Sequence, residues 1–274
     1  MFLRLIIPAF VVILAGIMAV RWIGLRGNGQ SFPAYPASTT LPDSMPLPPD
    51  LPAPVHRFYQ TIIGNQIPII HSAVLTLSGR LRFMGITFPA RMRFTHEAGR
   101  NYRHYIEATV FGQPVMKVNE SYLDGHGRME LPVGTIQDEP KIDAAANLGL
   151  WGESLWLPTI FITDPRVRWE AIDAQTARLI VPFADTGSDS FTVQFDAATG
   201  LIHSMETRRW RDAHDAAKLG WRIEPLDWTR WHGMLIPSTA AVTWLDEGTP
   251  WLVATADDVV YNADVSAYIR GRGL

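Results

Sequence analysis

The strongest constraint on the fold is a period-two alternation of polar and apolar residues that recurs along the chain. It runs through four consecutive segments, 73–83, 87–96, 102–111 and 115–122. Successive side chains of a β-strand point to opposite faces, so each segment would present one apolar and one polar face. Glycine-containing dipeptides such as Met84-Gly85 separate the segments and are typical of tight hairpins. The sequence therefore predicts an antiparallel sheet with one buried face and one face in water.

A helix interrupts this pattern in the middle of the chain. Asp138 and Pro140 are typical of a helix start, and Pro158 should end the helix because the residue before a proline avoids the α region. We expect this helix at about residues 139–157. One stripe of it would carry Ala144, Leu148, Trp151 and Leu155.

Strand-like segments resume after this helix, and the rest of the chain continues the β pattern. A short helix is also expected before the first strands, at residues 53–63, with Gly64-Asn65 as its stop signal. Residues 53–274 are thus predicted to form a single, mainly β domain with few helices. The later strands are expected at 167–172, 177–183, 190–196, 201–211, 235–244 and 251–261.

The first 26 residues have a different composition. An unbroken apolar run from Leu5 to Val20 lies between Arg4 and the pair Arg21 and Arg26. We expect residues 1–26 to be a single-pass transmembrane anchor, since arginines at both ends can reach the headgroups. A cleaved signal peptide is the alternative left open. The residues expected in the membrane include Leu5, Val12, Leu14, Val20 and, at the interface, Trp22.

A proline-rich segment, residues 27–52, follows this apolar run. Such a segment cannot be a helix or a central strand, and it tends towards the extended polyproline II conformation. We interpret it as a spacer, and packing along the domain is the alternative. The domain is expected outside the cytoplasm, in the periplasm, with the cytoplasmic side left open.

Composition excludes several classes of function. The chain has no cysteine, which removes thiol catalysis, cysteine-ligated zinc and iron–sulfur clusters. Its net charge of −3 does not point to nucleic acid. The common hydrolase, nucleotide-binding and metalloprotease motifs are missing from the sequence. We therefore assign no catalytic residue and no cofactor.

Three histidines, His96, His104 and His126, could approach one another if their hairpins stack, with Glu97 or Glu107 as an oxygen ligand. A metal site needs three or four converging groups. The spacing of these histidines matches no common metal-binding pattern. We interpret them as strand-end and turn residues at a solvent edge, and we assign no metal.

Glu153 is the carboxyl residue best placed for chemistry, because it lies beside Trp151 and Trp156 and an aromatic pocket would raise its pKa. Together with Asp173 it could serve a hydrolase-like enzyme. Structural ion pairs are common, however, and a pairing of Glu153 with a nearby arginine such as Arg166 or Arg168 is the interpretation we favour.

Five arginines share one face of three neighbouring predicted strands. Adjacent like charges destabilise a sheet unless acids or ligands intervene. This face is a candidate docking patch for anionic headgroups or an acidic protein surface, and an ordinary solvated face is the alternative. The five residues are Arg80, Arg82, Arg91, Arg93 and Arg103.

Several stretches between Leu51 and Asn262 resemble an uncharacterised bacterial family of membrane-linked domains. Its architecture is similar to the lipoprotein-carrier (LolA-like) half-barrel, in which a helix closes a curved antiparallel sheet. The resemblance implies an apolar cavity for acyl chains, lined by Leu148, Trp151, Leu155 and Trp156 of the plug helix, with Glu153 nearby. The stretches are Leu51–Phe58, Glu153–Thr159, Val167–Asp173, Arg208–Trp210, Gly233–Pro237 and Val260–Asn262.

These observations lead to three hypotheses of function. The first is a membrane-anchored, non-catalytic binding domain that accommodates a membrane lipid or another apolar group in the half-barrel. The second is an accessory subunit docked on a larger integral membrane protein complex through the arginine face. The third is the hydrolase-like enzyme with Glu153 and Asp173.

Overall fold

A computed structural model of the protein describes residues 3–36, 43–184 and 187–272. For residues 3–6, 8 and 9 it describes the backbone alone. The described chain forms one 13-stranded antiparallel sheet and a separate two-stranded ribbon. The mainly β, antiparallel architecture that the sequence predicts is confirmed.

Helices occupy a small part of the described chain. They are α1 (Leu3–Gly24), α2 (Ala53–Ile62), α3 (Pro140–Glu153), α4 (Ile160–Thr163) and α5 (Ser266–Ile269), with a 3-10 turn at Ser154–Trp156 after α3. The two-stranded ribbon consists of β1 (Ser44–Pro46) and β2 (Gln66–Pro68). The large sheet contains β3 (Ser72–Phe83), β4 (Ile86–Glu97), β5 (Asn101–Val110), β6 (Gln113–Leu123), β7 (His126–Leu131), β8 (Gly134–Gln137), β9 (Arg168–Ala171), β10 (Thr176–Phe183), β11 (Gly187–Phe195), β12 (Ile202–Arg209), β13 (Leu219–Trp231), β14 (Met234–Trp244) and β15 (Pro250–Tyr261).

The strand order is β8-β7-β6-β5-β4-β3-β15-β14-β13-β12-β11-β10-β9. Each half of the sheet is a meander, and the antiparallel pairing of β3 with β15 joins the two halves. Helix α3 contacts β6 and β7 near one edge and β10 and β12 near the other. A single helix reaches both groups of strands because the sheet curves around it.

The predicted strands β3 to β6 lie within two residues of their expected bounds, and their hairpins have the expected chemistry. Met84 and Gly85 have φ angles of +49° and +76°, and Phe111 and Gly112 have +51° and +73°. Such paired positive φ angles belong to the two-residue hairpin turns whose twist matches that of the flanking strands. Tight turns therefore set the register of this half of the sheet.

Helix α2 confirms the expected short helix and its end. Gly64, with φ of +89°, donates its backbone N–H to the carbonyl of Tyr59. The Tyr59 hydroxyl donates to the Pro158 carbonyl at 2.7 Å, which ties α2 to the segment that follows α3. Because Phe58 and Tyr59 are fully buried, α2 closes the core at this end.

The polar face of β3 to β5 differs from its expectation. It was predicted to face water, but residues 27–36 and α5 pack on it. The ring of Phe32, 6% exposed, lies against Tyr105 with centroids 5.8 Å apart. A second, small apolar cluster of Val74, Val260, Val265 and Ile269 forms beneath α5. The chain's own segments therefore cover this outer face.

The structure does not support the expected transmembrane anchor. Along the described part of the chain, every helix falls short of the length and apolar character that a membrane crossing requires. The expectation of a single-pass membrane protein, and of a location based on that anchor, is therefore not supported.

Helix α1 ends against the rim of the sheet. The Gly24 carbonyl accepts the backbone N–H of Phe111 at 2.8 Å, and the Leu25 carbonyl accepts Arg80. Side chains of the expected membrane residues Val12, Leu14, Val20 and Trp22 are exposed, and Leu5 lies outside the residues whose side chains are described.

Candidate functional site

A buried polar cluster lies on the inner face of β4, β5 and β6. His104 pairs with Phe94 on one side and with Glu120 on the other, and His96 pairs with Tyr102. These residues occupy the same positions in the alternation as the apolar core residues. The alternation therefore directs the imidazoles of His96 and His104 and the carboxylate of Glu120 into the interior.

Helix α3 supplies the fourth member of this cluster. Glu153, the last residue of α3, places Oε2 2.7 Å from Nε2 of His104 and 3.4 Å from Nε2 of His96. On the other side of the His104 ring, Nδ1 lies 3.8 Å from Oε2 of Glu120. Both histidines thus point their Nε2 atoms at the same carboxylate oxygen.

The rings of the cluster are held by stacking. His104 lies between Phe94 and Tyr102, with a ring centroid distance of 4.0 Å to each. The Tyr102 hydroxyl donates to Oε1 of Glu120 at 2.6 Å and orients this carboxylate. The His104 imidazole is therefore fixed in position before any ligand binds.

Burial leaves several polar atoms of the cluster without hydrogen bonds. His96 is fully buried and His104 is 2% exposed. Among the described residues, neither ring nitrogen of His96 has a hydrogen-bond partner. Nε2 of His104 and Oε2 of Glu153 are in ion-pair contact without an aligned hydrogen bond. Such atoms destabilise a fold by about 1–3 kcal/mol each and call for an explanation.

The cluster strongly shifts the pKa values of its members. Burial alone would lower the pKa of His104, but the adjacent carboxylates of Glu153 and Glu120 raise it to about 9. Burial would raise the pKa of Glu120, but His104, Arg209 and the Tyr102 hydroxyl lower it to about 2. The two carboxylates therefore favour the protonated form of His104 at neutral pH, and any metal ion that bound its Nε2 would have to release this proton.

Burial acts differently on the remaining two members. It lowers the pKa of His96 well below the ordinary value, and the charge of His104 lowers it further. Burial also raises the pKa of Glu153, against the opposing effect of His104. His96 is thus a neutral imidazole with a free lone pair, which is the form that binds metal ions.

The structure changes the sequence-based interpretation of the histidines. The expectation that His96 and His104 lie at a solvent edge is wrong, because both lie in the core. His126 is exposed and lies near Asp143 at 3.7 Å. The acid that joins the pair is Glu153, whose oxygen and the two ring nitrogens lie within 4.8 Å of one another. This set offers the donors of a metal site.

The predicted acids on the same strands, and the predicted arginine partners, lie elsewhere. Glu97 accepts from the Asn101 amide and Glu107 binds Arg91 on the outer face. Arg166 pairs with Asp164, so the expected pairing of Glu153 with this arginine is wrong.

Asp173, the second residue of the hydrolase-like hypothesis, lies in the turn between β9 and β10. Its carboxylate accepts the backbone N–H of Gln175 at 2.8 Å. This hydrogen bond gives Asp173 a structural role in the turn, outside the buried cluster.

The arginine face is occupied by the chain itself. Arg91 binds Glu107 and the Gln30 carbonyl, both at 2.7 Å. Arg93 donates to the Pro33 carbonyl, and Arg103 donates to the Ile269 carbonyl at 2.7 Å. These guanidinium groups hold residues 27–36 and α5 against the sheet.

The two remaining arginines lie nearer the rim. Arg82 pairs with Glu247 and donates to the Thr249 carbonyl at 3.0 Å. Arg80 donates to the Leu25 carbonyl at 3.4 Å. All five arginines therefore have partners within this chain, and their role as a docking patch stays a prediction.

The side chains expected to line a cavity under the helix are packed in the core. Leu148, Trp151, Leu155 and Trp156 are each at most 2% exposed. The Trp156 indole N–H donates to the Pro237 carbonyl at 3.0 Å. A Cβ at Gly152 would lie 2.5 Å from Ile223, so sheet and helix are in close contact there. The space is filled in this structure, and a lipid cavity at these residues stays a prediction.

An open apolar groove of about 480 Å³ lies elsewhere, between α1 and the rim of the sheet. Helix α1 forms one wall, and β4 and β5 form the other. Arg21 is the charged residue of an otherwise apolar lining. The lining residues are Ile13, Gly16, Ile17, Val20, Arg21, Leu25, Ile86, Phe88 and Val110.

Residues 43–255 match the model of the family of unknown function DUF6544, and the chain belongs to this family. The expected membership in an uncharacterised family is thus confirmed. A search of curated proteins finds no match.

Several solved structures are distantly similar to this chain. A LolA superfamily protein, NE2245 from Nitrosomonas europaea, is 10% identical, with 80% of this chain and 96% of that chain covered and a TM-score of 0.48. A DUF1329 family protein from Desulfovibrio piger is 11% identical, with 73% and 90% covered and a TM-score of 0.42. A domain from Vibrio parahaemolyticus, named for outer membrane lipoprotein sorting, is 12% identical, with 72% and 88% covered and a TM-score of 0.39. Likenesses this distant assign no function to this chain.

Proposed function

We propose that this member of the family DUF6544 is a non-catalytic binding domain that holds the acyl chain of an anionic lipid in the groove between α1 and the sheet. The observation that carries the proposal is the groove itself, which is open, apolar and bordered by an arginine. The acyl chain would lie along Ile17 and Phe88, and the head group would lie near Arg21.

The size and lining of the groove support this ligand class. Its volume of about 480 Å³ is within the range of about 300–1,000 Å³ typical of small-molecule sites. Its walls are aliphatic and aromatic, with Ile13 and Val20 on the helix and Ile86 on β4. An apolar chain gains free energy here by leaving water, at about 25 cal/mol per Å² buried.

The apolar surface of α1 also favours a lipid. Phe10, Val11, Ile13, Ile17 and Met18 are each more than half exposed. A contiguous apolar patch of this kind on a folded protein marks an interaction site. The groove is where this surface meets the sheet, so a bound acyl chain would be covered on two sides.

The interior beneath α3 is the alternative position for the same ligand. Trp151 and Leu155 fill it in this structure, so an acyl chain could enter only if α3 moved away from the sheet. The groove needs no such movement, and for this reason we place the lipid there.

Native mass spectrometry of the full chain with phosphatidylglycerol tests the proposal. Gly16→Phe should fill the groove, because a Cβ at Gly16 meets no atom within 4 Å. We expect lipid binding to weaken at least tenfold. The matched control is Met18→Phe, which adds the same ring to an exposed position outside the lining.

Three outcomes would contradict the groove. Equal lipid binding by both variants would exclude it, and loss in a folded Leu155→Ala protein alone would move the ligand to the interior beneath α3. Absence of bound lipid together with stoichiometric copurifying proteins would favour the accessory subunit instead.

A further inference from the structure

The buried cluster of β4, β5 and α3 carries a second inference, which does not depend on the lipid groove. We propose that His96, His104 and Glu153 bind one divalent transition-metal ion of the zinc class. Each residue contributes one donor atom, namely the two Nε2 atoms and Oε2 of Glu153. The three atoms lie within 4.8 Å of one another.

The distances from Oε2 of Glu153 to the two histidines are near the donor spacing of a tetrahedral ion. Zinc binds imidazole nitrogen and carboxylate oxygen at about 2.0–2.2 Å, which separates two tetrahedral ligands by roughly 3.3 Å. Nε2 of His96 lies 3.4 Å from Oε2 of Glu153. Nε2 of His104 lies 2.7 Å from the same oxygen, so this contact would widen by about half an ångström on binding.

An ion pair between His104 and Glu153 explains only part of the cluster. It uses one imidazole and leaves His96 fully buried, with both ring nitrogens unpartnered among the residues described. A buried neutral imidazole without a hydrogen bond is unfavourable. A metal ion between the three residues would give Nε2 of His96 a partner. It would also bind Nε2 of His104 and Oε2 of Glu153, which are in contact without an aligned hydrogen bond.

The surroundings of His104 have the form that supports metal ligands elsewhere in proteins. A ligating imidazole usually directs its other ring nitrogen to a carboxylate, which fixes the tautomer and strengthens the ligand. Nδ1 of His104 faces Glu120, and Glu120 in turn accepts the Tyr102 hydroxyl. Because Phe94 and Tyr102 stack on the ring, the ligand is already oriented.

The donor set also selects the class of ion. Calcium and magnesium take oxygen ligands, whereas two imidazoles and a carboxylate suit zinc and its first-row neighbours. Three protein ligands leave a fourth position for water. The Glu153 side chain keeps 19% of its surface exposed, whereas its donor atom Oε2 is buried.

Calorimetric titration of the full chain with zinc alone, after treatment with a chelator, tests this site. We expect one zinc ion per chain. His96→Gln should weaken binding at least about tenfold, whereas His126→Gln, which changes an exposed histidine outside the cluster, should not. Glu153→Gln and its exposed control Glu170→Gln form a second matched pair.

A thermal readout keeps the test decisive if a variant fails to fold. Zinc should raise the unfolding midpoint of the unmodified chain, because an ion that binds only the folded state stabilises it. Failure of the unmodified chain to take up one equivalent of zinc would overturn the proposal. Equal zinc affinity in the His96→Gln and His126→Gln proteins would overturn it as well, since the metal would then bind surface residues.

Discussion

The two faces of strands β4 and β5 differ in how their polar side chains are hydrogen-bonded. On the outer face, Arg91, Arg93 and Arg103 each donate to a carbonyl or a carboxylate of the same chain. On the inner face, His96 and Glu153 keep atoms without hydrogen bonds in the core. On the outer face some atoms, such as Nε of Arg93, also lack a hydrogen bond, so the difference lies in whether each group keeps at least one hydrogen-bond partner in the chain.

This difference separates a structural role from a binding role. The outer charges fasten residues 27–36 and α5 to the sheet, and removing Arg103 leaves the carbonyl of the buried Ile269 without this donor. The inner cluster is under-satisfied by its own chain, which is typical of residues arranged for a ligand rather than for stability. Four variants test this contrast, each by its effect on the free energy of unfolding.

The largest effect is expected for the apolar part of the inner face. Trp151→Ala removes a fully buried indole from the contact between α3 and the sheet. It should destabilise the domain by about 3–5 kcal/mol, since the surroundings can only partly fill the cavity. Urea unfolding measures this value. Trp22→Ala, at an exposed tryptophan of α1, should change it by less than about 0.5 kcal/mol.

An intermediate effect is expected on the outer face. Arg103→Met keeps most of the side-chain volume but leaves the Ile269 carbonyl without its donor. We expect a loss of about 1–3 kcal/mol in urea unfolding. Arg80→Met, at an exposed arginine with a long contact of 3.4 Å, is the control and should stay within about 0.5 kcal/mol. If Arg103→Met and Arg80→Met lowered the free energy of unfolding by equally small amounts, Arg103 would have no structural role.

A small effect is expected for the inner polar cluster. His96→Leu replaces an unpartnered buried imidazole with an apolar side chain and breaks no hydrogen bond. In chelator-treated protein, the free energy of unfolding should stay within about 1 kcal/mol of the unmodified chain or rise. A loss as large as that of Arg103→Met would mean that His96 is structural, and the contrast between the faces would fail.

The smallest effect is a change in acid stability on the outer face. Burial tends to raise the pKa of Glu107, but the hydrogen bonds from Tyr105 and Arg91 outweigh it and lower that pKa. Its stabilisation is therefore present above the unfolded pKa of about 4.3 and is lost as the pH falls through the lower folded value. The difference in unfolding free energy between the unmodified chain and Glu107→Gln should shrink between pH 6 and pH 3. A constant difference would contradict the pairing.

The sequence predicts most strands of the large sheet, with β3 to β6, β9 to β12, β14 and β15 each within three residues of their expected bounds. Strands β3 to β6 were found because their buried side chains recur at every second residue. Strand β13 was missed, since bulges around Pro225 and Asp227 shift its register and break the alternation. The short strands β7 and β8 were missed too, because few of their residues are buried.

The candidate site was only partly predictable. His96, His104 and Glu120 share the phase of the apolar residues on their strands, so alternation alone could have shown that they point inwards. Glu153 reaches them through the packing of α3 across the sheet, which no local spacing encodes. The covering of the arginines was hidden for another reason, because the groups that bind them include the backbone carbonyls of Gln30 and Pro33.

X-ray absorption at the zinc edge, on the full chain loaded with one equivalent of zinc, tests the inner-face site most directly. The structure predicts a four-coordinate ion with two imidazole nitrogens and carboxylate or water oxygens at about 2.0–2.2 Å. The same measurement on His96→Leu should lose one imidazole. A shell of oxygens without imidazole, or a spectrum that His96→Leu leaves unchanged, would show that the inner cluster is not a metal site.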